Sequence, residues 1–309
     1  MDSCLAQPIT KRTICVVTTS YPATEGDPSG HFVRAEVREL ERAGHRVTVL
    51  KPRPGKAFGW PGVAARLRAH PFSAWQVPMF VATAAMRIRM EKPDEIIAHW
   101  ALPSGWPIAT LSGLEAAALT LVSHGADVRL LCAVPKRARS LLVTALASRA
   151  KRWRFVSEHL AGTLLSALAK ADRARVESLV VIEPSPLSMI DVTDLVRARR
   201  RSIGTRRLYV TASRLVASKR VDKVIDYVAA MRPAHNPVLV VLGDGPARDG
   251  LQKQAQHWGL DAHFLGTTPR RETLSWIGAA DELVHASCTE GLSTVVREAE
   301  QLGVKVTRL

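Results

Sequence analysis

Two glutamates eight positions apart, Glu290 and Glu298 in CTEGLSTVVREAEQLGVKV, are the most informative pair of titratable groups in the chain. Eight residues is too far to share one helical turn. The spacing instead puts Glu290 on a loop leaving a strand, with Ser293 or Thr294 as helix N-cap and Glu298 one turn into the helix that follows. The backbone N–H groups of Gly291, Leu292, Ser293 and the two residues after them then form an anion-binding helix start. A loop carboxylate, a row of amides and a helix carboxylate can together hold a sugar hydroxyl, a phosphate and a ribose diol. The same two residues also read as a turn glutamate and a solvated helix glutamate. Spacing alone leaves both open.

A second cluster is SRLVASKR, in which Arg214 and Lys219 follow a strand and precede a helix. Two cations at a strand edge suit a diphosphate, with Arg forking and Lys acting as a point charge, or they are ordinary surface cations. The segment GDGP (243–246) is a turn signal first. Gly26 and Gly30 flank DPS in the loop after the first strand, where a backbone can approach a phosphate closely. Their G-x-x-x-G spacing is not the dinucleotide fingerprint, so hydride chemistry is not indicated. His124 in SHGADV ends a strand and precedes a glycine, so it is expected to point into the cleft, or it is a structural histidine. His99 and Trp100, on a neighbouring strand end, line a sugar or acceptor pocket or simply close the core.

The elements that position these groups alternate. ICVVTTSY (14–21), HRVTVL (45–50), EIIAHW (95–100) and LTLVSH (119–124) read as buried strands, with a helix from Phe32 to Ala43 stopped by Gly44. After a break at 183–205, taken as the linker, strands are expected at 206–213, 237–243, 261–266, 281–287 and 304–307. Helices fall between them at 221–231, 247–259, 271–280 and 294–302. Strands joined by helical crossovers make parallel sheets covered on both faces. The expected fold is α/β, two Rossmann-like domains facing a central cleft. The first spans 1–195, the second 196–309.

Composition narrows the class. With 309 residues and 47% apolar content, disordered, collagenous and low-complexity chains are excluded. No uninterrupted apolar run reaches the roughly eighteen residues of a membrane-spanning helix. The N-terminus does not read as a secretory signal, and the four cysteines show no C-x-x-C, which fits a reduced cytoplasmic setting and no metal site. Through residue 205 there are 29 Lys and Arg against 17 Asp and Glu; beyond it, 14 against 11. The excess lies in RLRAH, PKRARS, RAKRWR and RARRRS, which attract anionic lipid, phosphorylated substrates or nucleic acid, or form a solvated surface. Only 5% aromatic content makes nucleic acid the weakest of these partners.

Together these segments resemble the family-4 retaining glycosyltransferases, the group-1 nucleotide-sugar transferases of GT-B fold. The resemblance runs from GHFVRAEVRELERAGHRVTVL through PDEIIAHWALPSG and SHGADV to SRLVASKR, LVVLGDGPARDGLQKQA, FLGTTPRRE and the E-x7-E pattern at Glu290 and Glu298. It implies that Arg214 and Lys219 bind the donor diphosphate and stabilise the leaving group. It implies that Glu298 holds the ribose, that Glu290 with Gly291, Leu292 and Ser293 contacts the transferred sugar, and that Gly266 lies against the base. His124 then reaches the sugar and Gly30 approaches the phosphate. The co-substrate is a UDP- or GDP-linked sugar, no cofactor or metal is needed, and the acceptor is a glycan or a lipid-linked molecule. An anionic membrane surface is a further candidate partner, with the protein peripheral on the inner face.

The chain departs from the family at Ser213, Arg220 and Ser293, and EPSPLSM replaces the usual hinge. It stops at VKVTRL where the family continues, so a shortened second domain is expected. These departures motivate an alternative, a catalytically impaired relative that serves as a membrane-surface or partner-binding protein. A sugar-nucleotide epimerase of the same two-domain fold ranks below both.

Overall fold

The computed structural model describes every residue except 1–9, 23, 25, 26, 28, 54, 59–62, 233–235 and 288–292. Candidate residues Gly26, Glu290, Gly291 and Leu292 lie outside the described residues. The chain divides into two compact units, Met1–Ala23 with Ser29–Pro186, and Thr24–Pro28 with Leu187–Leu309.

The first unit runs β1 (Thr13–Val17), α1 (His31–Arg42), β2 (Arg46–Leu50), α2 (Val63–Ala69), α3 (Gln76–Glu91), β3 (Glu95–His99), α4 (Trp106–Thr110) and β4 (Ala118–Ser123). It continues through α5 (Ala126–Ala133), α6 (Lys136–Arg149), β5 (Ala150–Phe155), α7 (Glu158–Ser166), α8 (Lys170–Glu177) and β6 (Val180–Ile182). The sheet order is β2-β1-β3-β4-β5-β6, with all pairs parallel. Strands such as Thr13–Val17 and Glu95–His99 are buried along almost their whole length, because helices cover both faces. One core cluster contains Cys15, Val17, Ile96 and Trp153; the other contains Ile14, Val16, Ile97 and Val122, so successive residues of β1 and β3 alternate between them.

The second unit contains α9 (Thr193–Ile203), β7 (Leu208–Ala212), α10 (Val221–Ala230), β8 (Val238–Leu242), α11 (Arg248–His257) and β9 (Asp261–Gly266). Then come α12 (Arg270–Ala279), β10 (Glu282–His285), α13 (Thr294–Gln301) and β11 (Lys305–Arg308). Its sheet is also parallel, in the order β11-β10-β7-β8-β9.

Both sheets start in the middle and grow first to one side, then to the other. The direction reverses between β1 and β3 in the first unit and between β7 and β10 in the second. At such a switch point the loops leaving adjacent strands diverge to opposite faces and open a crevice at the carboxyl edge, where open α/β sheets bind ligands.

Three sequence expectations are corrected. Residues 193–203 are not linker: they form α9, whose Val196 and Ile203 join the second core and whose Arg199 bonds Glu272 at 3.0 Å and lies over the Trp276 ring. Arginines on the outer face hid its amphipathic period. The units accordingly part between Pro186 and Leu187, ahead of the 195/196 boundary, which would cut α9. Second, RAKRWR is largely strand β5, with Trp153 fully buried.

Third, the basic clusters are only partly solvated. Arg139 caps the ends of α5 and α7 by donating to the carbonyls of Leu131, Cys132, Val134 and Ala167. Arg149 donates to Leu114 and Ala117, and Arg200 to Asp281 and Arg206.

Candidate functional site

In the first unit the adjacent strands β3 and β4 place their carboxyl ends side by side, with His99 in register with Val122. His99 Nδ1 and His124 Nε2 are 3.0 Å apart. His99 is fully buried, and its Nε2 lies 3.7 Å from the Glu36 carboxylate of α1. Arg154 of β5 donates two 2.8 Å hydrogen bonds to that carboxylate, one to each oxygen. Burial first, then the Arg154 charge, holds the His99 pKa down to about 3. His124 is held well below its usual value by burial, then by His99 and Arg154. Both rings are therefore neutral at physiological pH. His99 closes the core, and of the two only His124 retains surface exposure.

The backbone around His124 is set by Asp127 in the first turn of α5. Its carboxylate accepts from the N–H groups of Ala101, His124 and Gly125 at 2.9, 3.2 and 3.0 Å. The ring packs against Phe32 and Trp100, with centroids 4.7 and 4.9 Å away. Trp100 itself sits at φ 67°, a backbone region a bulky residue rarely adopts. A neutral imidazole flanked by aromatic faces can hydrogen-bond a hydroxyl while the rings cover an apolar sugar face.

Gly30 is the N-cap of α1, at φ 61°. A Cβ there would stand 2.2 Å from the Ser20 carbonyl oxygen, so its close approach is to the chain's own backbone.

In the second unit Arg214 and Lys219 follow β7, and Lys219 ends a 3-10 turn, Ala217–Lys219. Arg214 is bracketed by two backbone bonds that extend the β7–β8 ladder, Ser213 N to Leu242 O and Leu215 N to Asp244 O. Arg220, where the family has glycine, is in the left-handed region at φ 47°. Across the switch point, His285 ends β10, and its pKa is lowered to about 4 by burial, then by the charges of Lys219 and Arg308. The Lys219 charge therefore acts at the carboxyl end of β10.

Ser293 is the N-cap of α13, in extended backbone and without a side-chain cap bond. Glu298 is 4% exposed and accepts a 2.5 Å bond from Arg270, which also donates to the Ser188 carbonyl. Glu298 is thus no solvated helix residue. Gly266 (φ 71°) ends β9 and accepts a 2.8 Å bond from Gly243 N. A Cβ on Gly243 would fall 1.9 Å from the Ser213 carbonyl oxygen. Among the described residues, no group of three or more His, Cys, Asp or Glu is arranged to hold a metal ion.

The structure brings His124 to the edge of one sheet, and Arg214, Lys219 and Ser293 to loops or element ends at the carboxyl edge of the other. Sequence reasoning missed Glu36, Asp127, Arg154 and Arg270. Glu36 and Arg154 lie 118 positions apart, and no local pattern links them. The alternation Arg152-Trp153-Arg154-Phe155 was a legible strand signal that the charge obscured.

Two parallel α/β sheets, each with its own switch point, are the two Rossmann-like domains of a GT-B fold. Residues 193–306 match the family described as glycosyl transferases group 1, which covers nearly all of the second unit. TuaC of Bacillus subtilis (strain 168), assigned as a teichuronic acid biosynthesis glycosyltransferase, is 26% identical over 328 residues, covering 94% of this chain and 79% of TuaC. Among solved structures, sucrose-phosphate synthase of Thermosynechococcus elongatus superposes with a TM-score of 0.71 at 17% identity, over 96% of this chain and 81% of that one. Anabaena HepE, crystallised with UDP and glucose, gives 0.62 at 18% identity, over 96% and 80%.

Proposed function

We propose that this protein moves a sugar from a UDP- or GDP-linked donor to a glycan or lipid-linked acceptor, with retention of the anomeric configuration. The bond from the anomeric carbon to the diphosphate breaks, and the acceptor oxygen bonds that carbon on the same face. The acceptor loses its proton, and the nucleoside diphosphate leaves with the bonding pair. The carrying observation is the β7–β10 switch point, where the Lys219 charge after β7 acts on His285 at the end of β10.

In this reading Arg214 and Lys219 meet the negative charge that develops on the leaving diphosphate, the task of preorganised electrostatic sites. Ser293, with Gly291 and Leu292 before it, supplies amides, and Glu290 contacts the sugar. Glu298 is assigned to the ribose, Gly266 to the base and Gly30 to the phosphate. His124 serves as a neutral hydrogen-bonding partner for a sugar hydroxyl. Side-chain cations and a helix start do the work a metal would otherwise do, so neither metal nor cofactor is invoked. The reading puts the reaction in the cytoplasm. The similarity to TuaC, named for teichuronic acid biosynthesis, is consistent with a glycan acceptor.

Calorimetric titration of UDP and GDP into wild type and Arg214→Ala tests the donor site. Removing a hydrogen-bonded charge predicts about tenfold or greater weakening for the preferred nucleotide. Equal affinity in both proteins, or none in either, overturns the assignment. An inverted product anomer, read by proton NMR, overturns retention. Nucleotide binding with no sugar release from any donor, with or without acceptors, supports the impaired relative instead, a reading favoured by the strained Arg220 in place of glycine.

A further inference from the structure

The first unit carries an apolar ridge that sugar transfer does not use. Phe72 is 96% exposed and Trp75 59%, followed on α3 by the exposed Met79, Met86 and Met90. At the helical period Trp75, the N-cap, and the three methionines fall within an arc of about 60°, along roughly 22 Å of helix. The opposite face of α3, with Phe80, Ala84, Ala85 and Ile88, already packs into the unit. This helix is therefore apolar on two sides, and the interior accounts for only one of them.

The charge around the ridge is mostly basic, with Glu91 at the end of α3 pairing with Arg87 at 3.8 Å. From residue 42 to residue 90 the chain holds nine Lys and Arg and not a single Asp or Glu. Lys56, Arg68, Arg87 and Arg89 are all exposed. An open groove of about 400 Å³ beside the ridge is lined by Lys56, His70, Phe72, Trp75 and Gln76, among others. No helix among the described residues is long and apolar enough to cross a membrane, so the ridge is not part of a span.

From this juxtaposition we propose that the ridge docks the protein on an anionic bilayer. Phe72, Trp75 and the three methionines enter the boundary between headgroups and acyl chains, and the surrounding cations lie against lipid phosphates. The combination of aromatic and apolar side chains on one face with Lys and Arg at its margins is the chemistry of in-plane membrane binding. A second copy of this chain is a poorer occupant, because a two-fold contact would press two predominantly basic surfaces together. The proposal is independent of the glycosyl-transfer reading.

Co-sedimentation with vesicles of phosphatidylcholine, with and without phosphatidylglycerol, tests it on the full chain. Wild type should bind the mixed vesicles and leave the neutral ones. The triple variant Phe72→Ser, Trp75→Ser, Met79→Ser should lose at least about tenfold in affinity, since three large apolar groups no longer enter the bilayer. Lys56→Glu should cost about fivefold or more on the mixed vesicles only. Unchanged thermal unfolding and UDP titration confirm that these exposed substitutions leave the fold intact. No binding by wild type overturns the proposal, as does binding that survives the triple variant and vanishes with salt. A dimer in sedimentation velocity that the triple variant abolishes, without vesicle binding, assigns the ridge to self-association instead.

Discussion

The two units share one architecture yet position their strand-edge groups by different physics. In the first, a buried chain of side chains does it: Arg154 clamps Glu36, Glu36 faces His99, and His99 meets His124. In the second, backbone does it: Gly243 and Gly245 would place a Cβ 1.9 and 2.4 Å from the Ser213 and Leu215 carbonyl oxygens, pressing the loop after β8 onto the one that carries Arg214. A charge network tolerates no loss of a partner, because the remaining charge is stranded. A backbone contact tolerates no added atom, because close packing leaves no room.

One of the two largest predicted effects breaks the first device. Glu36→Ala leaves the buried Arg154 guanidinium with only the exposed Glu183, 3.6 Å away, and should destabilise the first unit by about 2–4 kcal/mol, read by urea denaturation. A loss below about 1 kcal/mol would mean the pair is not buried as described.

Acid attacks the same network more gradually. His99 stays neutral down to about pH 3 in the folded protein, whereas an unfolded chain takes up the proton near 6.5. The unfolded state binds more protons across that interval, so this contribution is complete above about pH 6.5 and is lost as pH falls toward 3. The slope is up to about 1.4 kcal/mol per pH unit. Denaturation midpoints of His99→Gln should fall less steeply with acid than those of wild type; parallel curves would contradict the assignment.

The second device is tested by Gly243→Ala, expected to cost about 2–4 kcal/mol and to weaken UDP binding by shifting the Arg214 loop. An unchanged melting temperature would show that the loops part easily. The smallest effect runs the other way. Arg220→Gly removes a positive-φ cost of about 1–2 kcal/mol, set against the greater freedom of glycine in the unfolded chain, so a gain of about 0.5–1 kcal/mol is expected. Destabilisation would mean that the Arg220 side chain contributes more than its backbone costs.

Legibility in the sequence followed the range of the forces involved. Elements with an undisturbed apolar period, such as Phe32–Ala43 and 261–266, were readable nearly to their ends, because local sterics and burial determine them. β5 and α9 were not, since arginines with distant partners interrupt the period: Arg154 with Glu36, Arg199 with Glu272. Arg214, Lys219 and Ser293 were legible as chemistry because they sit in short loops at predictable strand ends. That Glu298 is buried against Arg270, and that His99 seals the core while His124 reaches the surface, was not.

The order of residues alone determined two α/β units, their principal strands, the group-1 resemblance and the one-signed charge of residues 42–90. Only the tertiary structure decided which cations are consumed inside and which remain outside, which histidine is exposed, and that Phe72, Trp75 and three methionines share one outward face. Periodicity is a property of neighbours along the chain, whereas burial and charge pairing depend on residues that folding brings together from a hundred or more positions apart.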